Sequence, residues 1–127
     1  MTEKELSQYF KLKREVDDLE QRIKEFGDGV KAIQPHEIVV SGSKEYLSIQ
    51  EKIMMLKSQY YHKLCSSLEE YDKISKYINN VVDDPEIRTL MRYRFLDLNT
   101  WEQIAEKTYQ ERTTAAKKVR RYLKQNK

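Results

Sequence analysis

Glycine and proline are scarce in this chain, three and two among 127 residues, so few positions interrupt a helix. A single cysteine, Cys65, excludes an intramolecular disulfide and fits a reducing compartment. His36 and His62, the two histidines, lie on different segments, and no Cys or acidic neighbour completes a metal-ligand set around either. No run approaches the ~20 apolar residues needed to cross a bilayer. The opening MTEKELSQ lacks the apolar core of a secretory signal, so a cytoplasmic protein with no membrane partner is expected. There is also no glycine-rich phosphate loop, and no nucleophile–base pair with an oxyanion donor can be argued. The expectation is a protein that is not an enzyme and carries no cofactor or metal.

What is abundant is charge. Asp, Glu, Lys and Arg make up 35% of the chain, against 39% hydrophobic residues, a profile of long helices with much solvated surface. The net charge of +3 is modest, but its distribution is uneven. Residues 1–26 hold six bases against seven acids, whereas from Lys107 onward eight bases face one acid, Glu111. A basic block confined to one helix is an electrostatic footprint for a polyanion. The plainer alternative is a solvated basic helix end, favoured by the helix dipole.

Taken in order, Tyr9, Leu12, Val16, Leu19, Ile23 and Phe26 step by three and four, a coiled-coil seam on a charged helix from about Thr2 to Phe26. Gly27-Asp28-Gly29 is expected to end it. Residues 27–43 read as a loop, with Pro35 opposing helix, a β-branched run at Ile38–Val40, and Ser43 as the next N-cap. From Lys44 to about Val82 the spacing predicts a second long helix. Its seam is Tyr46, Ile49, Ile53, Leu56 and Tyr60, followed by a register slip through Leu64, Leu68, Tyr71, Ile74, Ile78 and Val82. Met54 and Met55 read as packing beside the seam, and Cys65 as a packed thiol rather than a reactive one. The first helix spans about 36 Å and the second about 58 Å, so a hairpin leaves apolar positions uncovered. A homo-oligomer, a dimer first of all, is therefore expected.

Asp84 and Pro85 are a strong helix start, and Ile87, Leu90, Met91, Tyr93 and Phe95 supply packing in a helix to about Leu96. Thr100 and Gln103 then spell a capping box before Trp101, Ile104 and Ala105. A break follows at Thr108–Gln110. The last helix carries Ala115, Val119, Tyr122 and Leu123 on one face, with Arg112, Thr113, Thr114, Lys117, Lys118, Arg120, Arg121 and Lys124 on the others. Helix, tight turn, and a helix apolar on one side and basic elsewhere is the pattern of a helix-turn-helix. The expected fold is all-α: a long helical hairpin or coiled coil over residues 1–82, then a three-helix domain over 83–127.

The run DPEIRTLMRYRFLDLNTWEQIAEKTYQERTTAAKKVRRYLK, at 84–124, resembles region 4 of bacterial sigma factors and the phage regulators built on it. The layout of charged first helix, long second helix and this module is similar to small phage-encoded sigma-like regulators of late genes. The chain departs from that pattern at Thr108 and Tyr109, where leucine and glycine are usual, and at Glu111, where a serine cap is common. The resemblance implies a DNA-binding transcription regulator, phage or prophage encoded, with double-stranded DNA and, as for sigma region 4, RNA polymerase as partners. It implies that the start of the last helix enters the major groove. Arg112 and Lys117 then read base edges, and Thr113 or Thr114 meets a thymine methyl or a phosphate. Lys118, Arg120, Arg121 and Lys124 hold phosphates. Two alternatives stay open: the DNA-recognition small subunit of a phage packaging terminase, and a coiled-coil adaptor or inhibitor that binds a protein.

Overall fold

Two helices in the carboxyl half begin where a short polar side chain takes over a free backbone N–H. Asp84 accepts from the amides of Glu86 and Ile87 at 2.9 and 3.4 Å, with Pro85 as the first helical residue. Near the amino end Thr2 does the same for Glu5 at 3.2 Å. Such caps satisfy donors that a helix start otherwise leaves unpaired. A computed structural model describes residues 1–32 and 43–126, with side chains described for 1–27 and 49–126.

The chain is all-α among those residues. Its elements are α1 (Glu3–Leu6), α2 (Gln8–Ala32), α3 (Ser43–Asn80), α4 (Pro85–Met91), a π-helical turn (Arg92–Leu96), α5 (Trp101–Thr108) and α6 (Arg112–Gln125). None of the described helices is long and apolar enough to cross a membrane. Two compact units divide the chain: residues 1–11 with 67–127, and residues 12–66. Both boundaries fall inside long helices, whereas the sequence suggests a single boundary at 82/83.

In the first unit the core gathers Ile74, Ile78 and Val82 from the end of α3 and just past it with Ile87, Leu90 and Met91 of α4. Phe95, Trp101 and Ile104 join them, as do Ala115, Ala116, Val119 and Leu123 of α6. Leu6, from the other end of the chain, lies wholly buried in the same cluster. Tyr9 meets Tyr71 edge-on, their ring centroids 5.3 Å apart. Full burial of side chains of this size is worth roughly 1.5–3 kcal/mol each relative to exposure, so the cluster is what holds the unit together.

In the second unit Val16 is buried, and Leu12, Leu19, Ile23, Ile49, Ile53, Leu56, Tyr60 and Leu64 are half-buried. Glu15 and Lys63 form an ion pair at 2.8 Å that ties α2 to α3. The inward positions are those of the three-four spacing, with Phe26 the exception at 43% exposed.

Several sequence expectations need correction. The first helix is two: Ser7 folds its hydroxyl back onto the Glu3 carbonyl at 2.8 Å, a bond that competes with helix continuation. Gly27-Asp28-Gly29 does not stop α2, which runs to Ala32; a helical glycine costs only about 1 kcal/mol against alanine, which neighbouring turns can offset. Ser43 is itself the first residue of α3. Pro35 and the Ile38–Val40 run lie outside the described residues. Met54 and Met55 are 69% and 63% exposed, and Cys65 is exposed, because they fall on the side of α3 away from its buried seam. Leu68 and Tyr71 are exposed too, while Ser67 takes the inner position.

Candidate nucleic-acid interface

The geometry of α5 and α6 is set by their ends. Thr100 accepts from the Gln103 amide at 3.2 Å, and the Gln103 side chain accepts from the Thr100 amide at 2.9 Å. That closed box fixes where α5 starts. At its other end Tyr109 adopts a left-handed conformation, φ 55° and ψ 40°, and the Gln110 amide returns to the Ala105 carbonyl at 3.1 Å. Glycine normally fills such a position, since a Cβ is disfavoured there. Tyr109 is 97% exposed, so its ring contributes no packing in exchange. Glu111 then caps α6 in position only, without a side-chain bond to the backbone.

α6 presents Ala115, Ala116, Val119 and Leu123 to the core, with Tyr122 half-buried beside them. Ala116 is an inner position that the sequence reading passed over. Burial raises the Tyr122 phenol above its usual value, and the nearby Asp83 carboxylate adds to the rise. Outward stand Thr113, Thr114, Lys117, Arg120, Arg121 and Lys124, all exposed. Thr113, Lys117, Arg120 and Lys124 step by four, three and four, so they share one stripe about 16 Å long.

The eight expected contact residues thus lie on one helix, but they are not equivalent. Arg112 is exposed and paired with Glu102 at 3.1 Å. Lys118 is held twice, by Glu86 at 2.6 Å and by Gln110 at 3.0 Å. Arg120 lies 3.6 Å from Glu3. Lys117, Arg121 and Lys124 have no carboxylate partner among the described residues. The pairing of these three glutamates with α6 was not read from the sequence. Their only signal there is position, in the first turn of α1, α4 and α5.

Arg94 was also missed. The π-helical turn carries Phe95 into the core and leaves Arg94 half-buried, its guanidinium 5.1 Å from the centre of the Trp101 ring. Arg94 donates to the Asn99 carbonyl at 3.1 Å, which braces the approach to α5. Burial holds this guanidinium below its ordinary value, with Glu3 opposing the shift and Arg120 adding to it. Leu98, at φ 60°, is the second left-handed residue without glycine's freedom, and it completes the turn into Thr100.

No family model, curated protein or solved structure matches this chain. The fold and the candidate site define an all-α protein whose outward basic helix is carried on a small buried core. No three His, Cys, Asp or Glu side chains among the described residues gather as metal ligands would.

Proposed function

We propose that this chain is a DNA-binding transcription regulator of the sigma-like kind, in which α5 and α6 act as a helix-turn-helix. One observation carries the reading: Lys117, Arg121 and Lys124 stand outward on α6, unpaired with any described carboxylate, while the opposite side of the helix is anchored by Ala115, Ala116, Val119 and Leu123. A cationic stripe on a helix suits duplex DNA, whose phosphates attract cations and whose major groove admits an α-helix. The left-handed turn at Tyr109 supports the reading as well, because it ends α5 shortly before α6 begins at Arg112, the short connection a helix-turn-helix has. In this reading Arg112, Thr113, Thr114 and Lys117 face base edges, and Lys118, Arg120, Arg121 and Lys124 face phosphates.

The test is binding of the full chain to DNA upstream of genes in its own genome, measured across a salt series. The expected result is a preferred site, bound in a manner that weakens steeply with salt. Absence of any binding at low salt would leave the protein-binding adaptor as the better account.

A second copy of the chain is part of the proposal. Met54, Met55 and Tyr61, within about two turns of α3, are 69%, 63% and 61% exposed in the 12–66 unit, and large exposed side chains favour self-association. Paired recognition helices would raise affinity through effective concentration. Light scattering after size exclusion should give twice the chain mass, and a clean monomer at high micromolar concentration would remove this part.

A further inference from the structure

Six bases lie on α6, and three of them already touch a carboxylate supplied by another element. The donors of those carboxylates share one feature. Glu3 follows the Thr2 cap of α1, Glu86 is the second residue after the Asp84 cap of α4, and Glu102 is the second after the Thr100 cap of α5. A glutamate in a first helical turn is favoured there by the free amides around it, so each is positioned independently of the base it meets. Three helix starts therefore converge on one basic helix, and each brings one negative charge within 2.6–3.6 Å of it. Exposed ion pairs add little to folding stability, so their arrangement is not explained by stability alone.

We propose that Glu3, Glu86 and Glu102 act as internal stand-ins for phosphate: they neutralise Arg120, Lys118 and Arg112 in the free protein and narrow the electrostatic footprint to Lys117, Arg121 and Lys124. The inference rests on the DNA-binding reading of α6. Its consequence is selectivity. Sequence-independent affinity grows with the number of phosphates neutralised, whereas base contacts do not depend on that number. A chain that holds back half the cations of α6 binds random DNA weakly. A matched site, which offers Arg112 a base edge in place of Glu102, keeps a larger share of the affinity. Lys118 is the most firmly withheld, with two acceptors and a side chain only 38% exposed.

The experiment compares the full chain with Glu3→Gln, Glu86→Gln, Glu102→Gln and the triple variant on a duplex of random sequence, by fluorescence anisotropy across a potassium chloride series. Glu69→Gln is the control: Glu69 is exposed on α3 without a described basic partner, and its loss changes net charge by the same amount. Circular dichroism establishes that each variant is folded. On a random duplex no base edge is matched, so Arg112 and Lys117 meet phosphate like the other bases. Three free cations then give a slope of log affinity against log salt of about −2.7 for the unaltered chain, and it steepens by about 0.9 for each glutamate removed. Low-salt affinity rises with it, most for Glu86→Gln among the single variants, while Glu69→Gln leaves the slope unchanged. A slope near −5.4 already present in the unaltered chain and unmoved by the substitutions would overturn the inference and leave DNA binding intact. So would an equal effect of Glu69→Gln. If neither the chain nor the triple variant binds at low salt, the DNA-binding reading fails and this inference with it.

Discussion

Tyr77 lies half-buried against the core of the first unit, and its hydroxyl is buried with no hydrogen-bond partner. Burial raises its ionisation above the ordinary tyrosine value, and the neighbouring Tyr122 and Glu5 push the same way. The folded state thus favours the neutral phenol. Its contribution to stability is complete below the unfolded tyrosine value and is lost as pH rises through the raised folded value. Tyr77→Phe removes an unsatisfied hydroxyl while keeping the ring, so the variant should be more stable at neutral pH by about 1 kcal/mol. It should also lose less stability in the alkaline range. Urea unfolding at neutral pH and again above the tyrosine range measures both; a less stable phenylalanine variant would mean the hydroxyl is satisfied after all. Nothing in the spacing of apolar residues marks Tyr77. It predicts Ile74 and Ile78 inward, as found, and Leu68 and Tyr71 inward, which are exposed. Periodicity identifies a face, whereas which residues on that face are covered depends on what lies opposite.

At the scale of elements, helix starts were more legible than helix ends. Asp84 with Pro85 and Thr100 with Gln103 act within three residues of themselves, so their signal survives in the sequence. The ends depend on packing: α2 runs through Gly27 and Gly29, and α4 opens into a π-helical turn that brings Phe95 into the core. The break between α5 and α6 was legible as an interruption, but not that Tyr109 would hold the left-handed conformation. Tyr109→Gly tests the strain there. The left-handed region costs a side-chain-bearing residue roughly 1–2 kcal/mol, and no buried contact is given up because the ring is 97% exposed. The substitution should raise unfolding stability by about 1 kcal/mol once the entropy of glycine is set against it. Urea midpoints read this directly, and an unchanged or lower midpoint would show that the tyrosine ring contributes to the turn.

At the scale of the whole molecule, the sequence suggested a DNA-binding module confined to residues 83–127. The first unit instead draws on residues 1–11 and the end of α3 as well. Leu6 was invisible to pattern reading because one buried leucine in a short polar stretch has no period, and its partners lie far along the chain. Leu6→Ala should destabilise this unit by roughly 2–5 kcal/mol, the range for a fully buried leucine reduced to a methyl group. Trp101, the single tryptophan and 8% exposed, supplies the signal: its fluorescence should report a lower melting temperature for the variant. An unaltered transition would place Leu6 outside the cooperative core. Because Leu6 and Leu123 share that core, the ribosome delivers one piece of it long before the other. Until α6 emerges, α1 has only part of its apolar cover to lie against, and closing so long a loop is slow relative to winding a helix. Assembly of the first unit is thus a late event, completed after synthesis has passed Leu123.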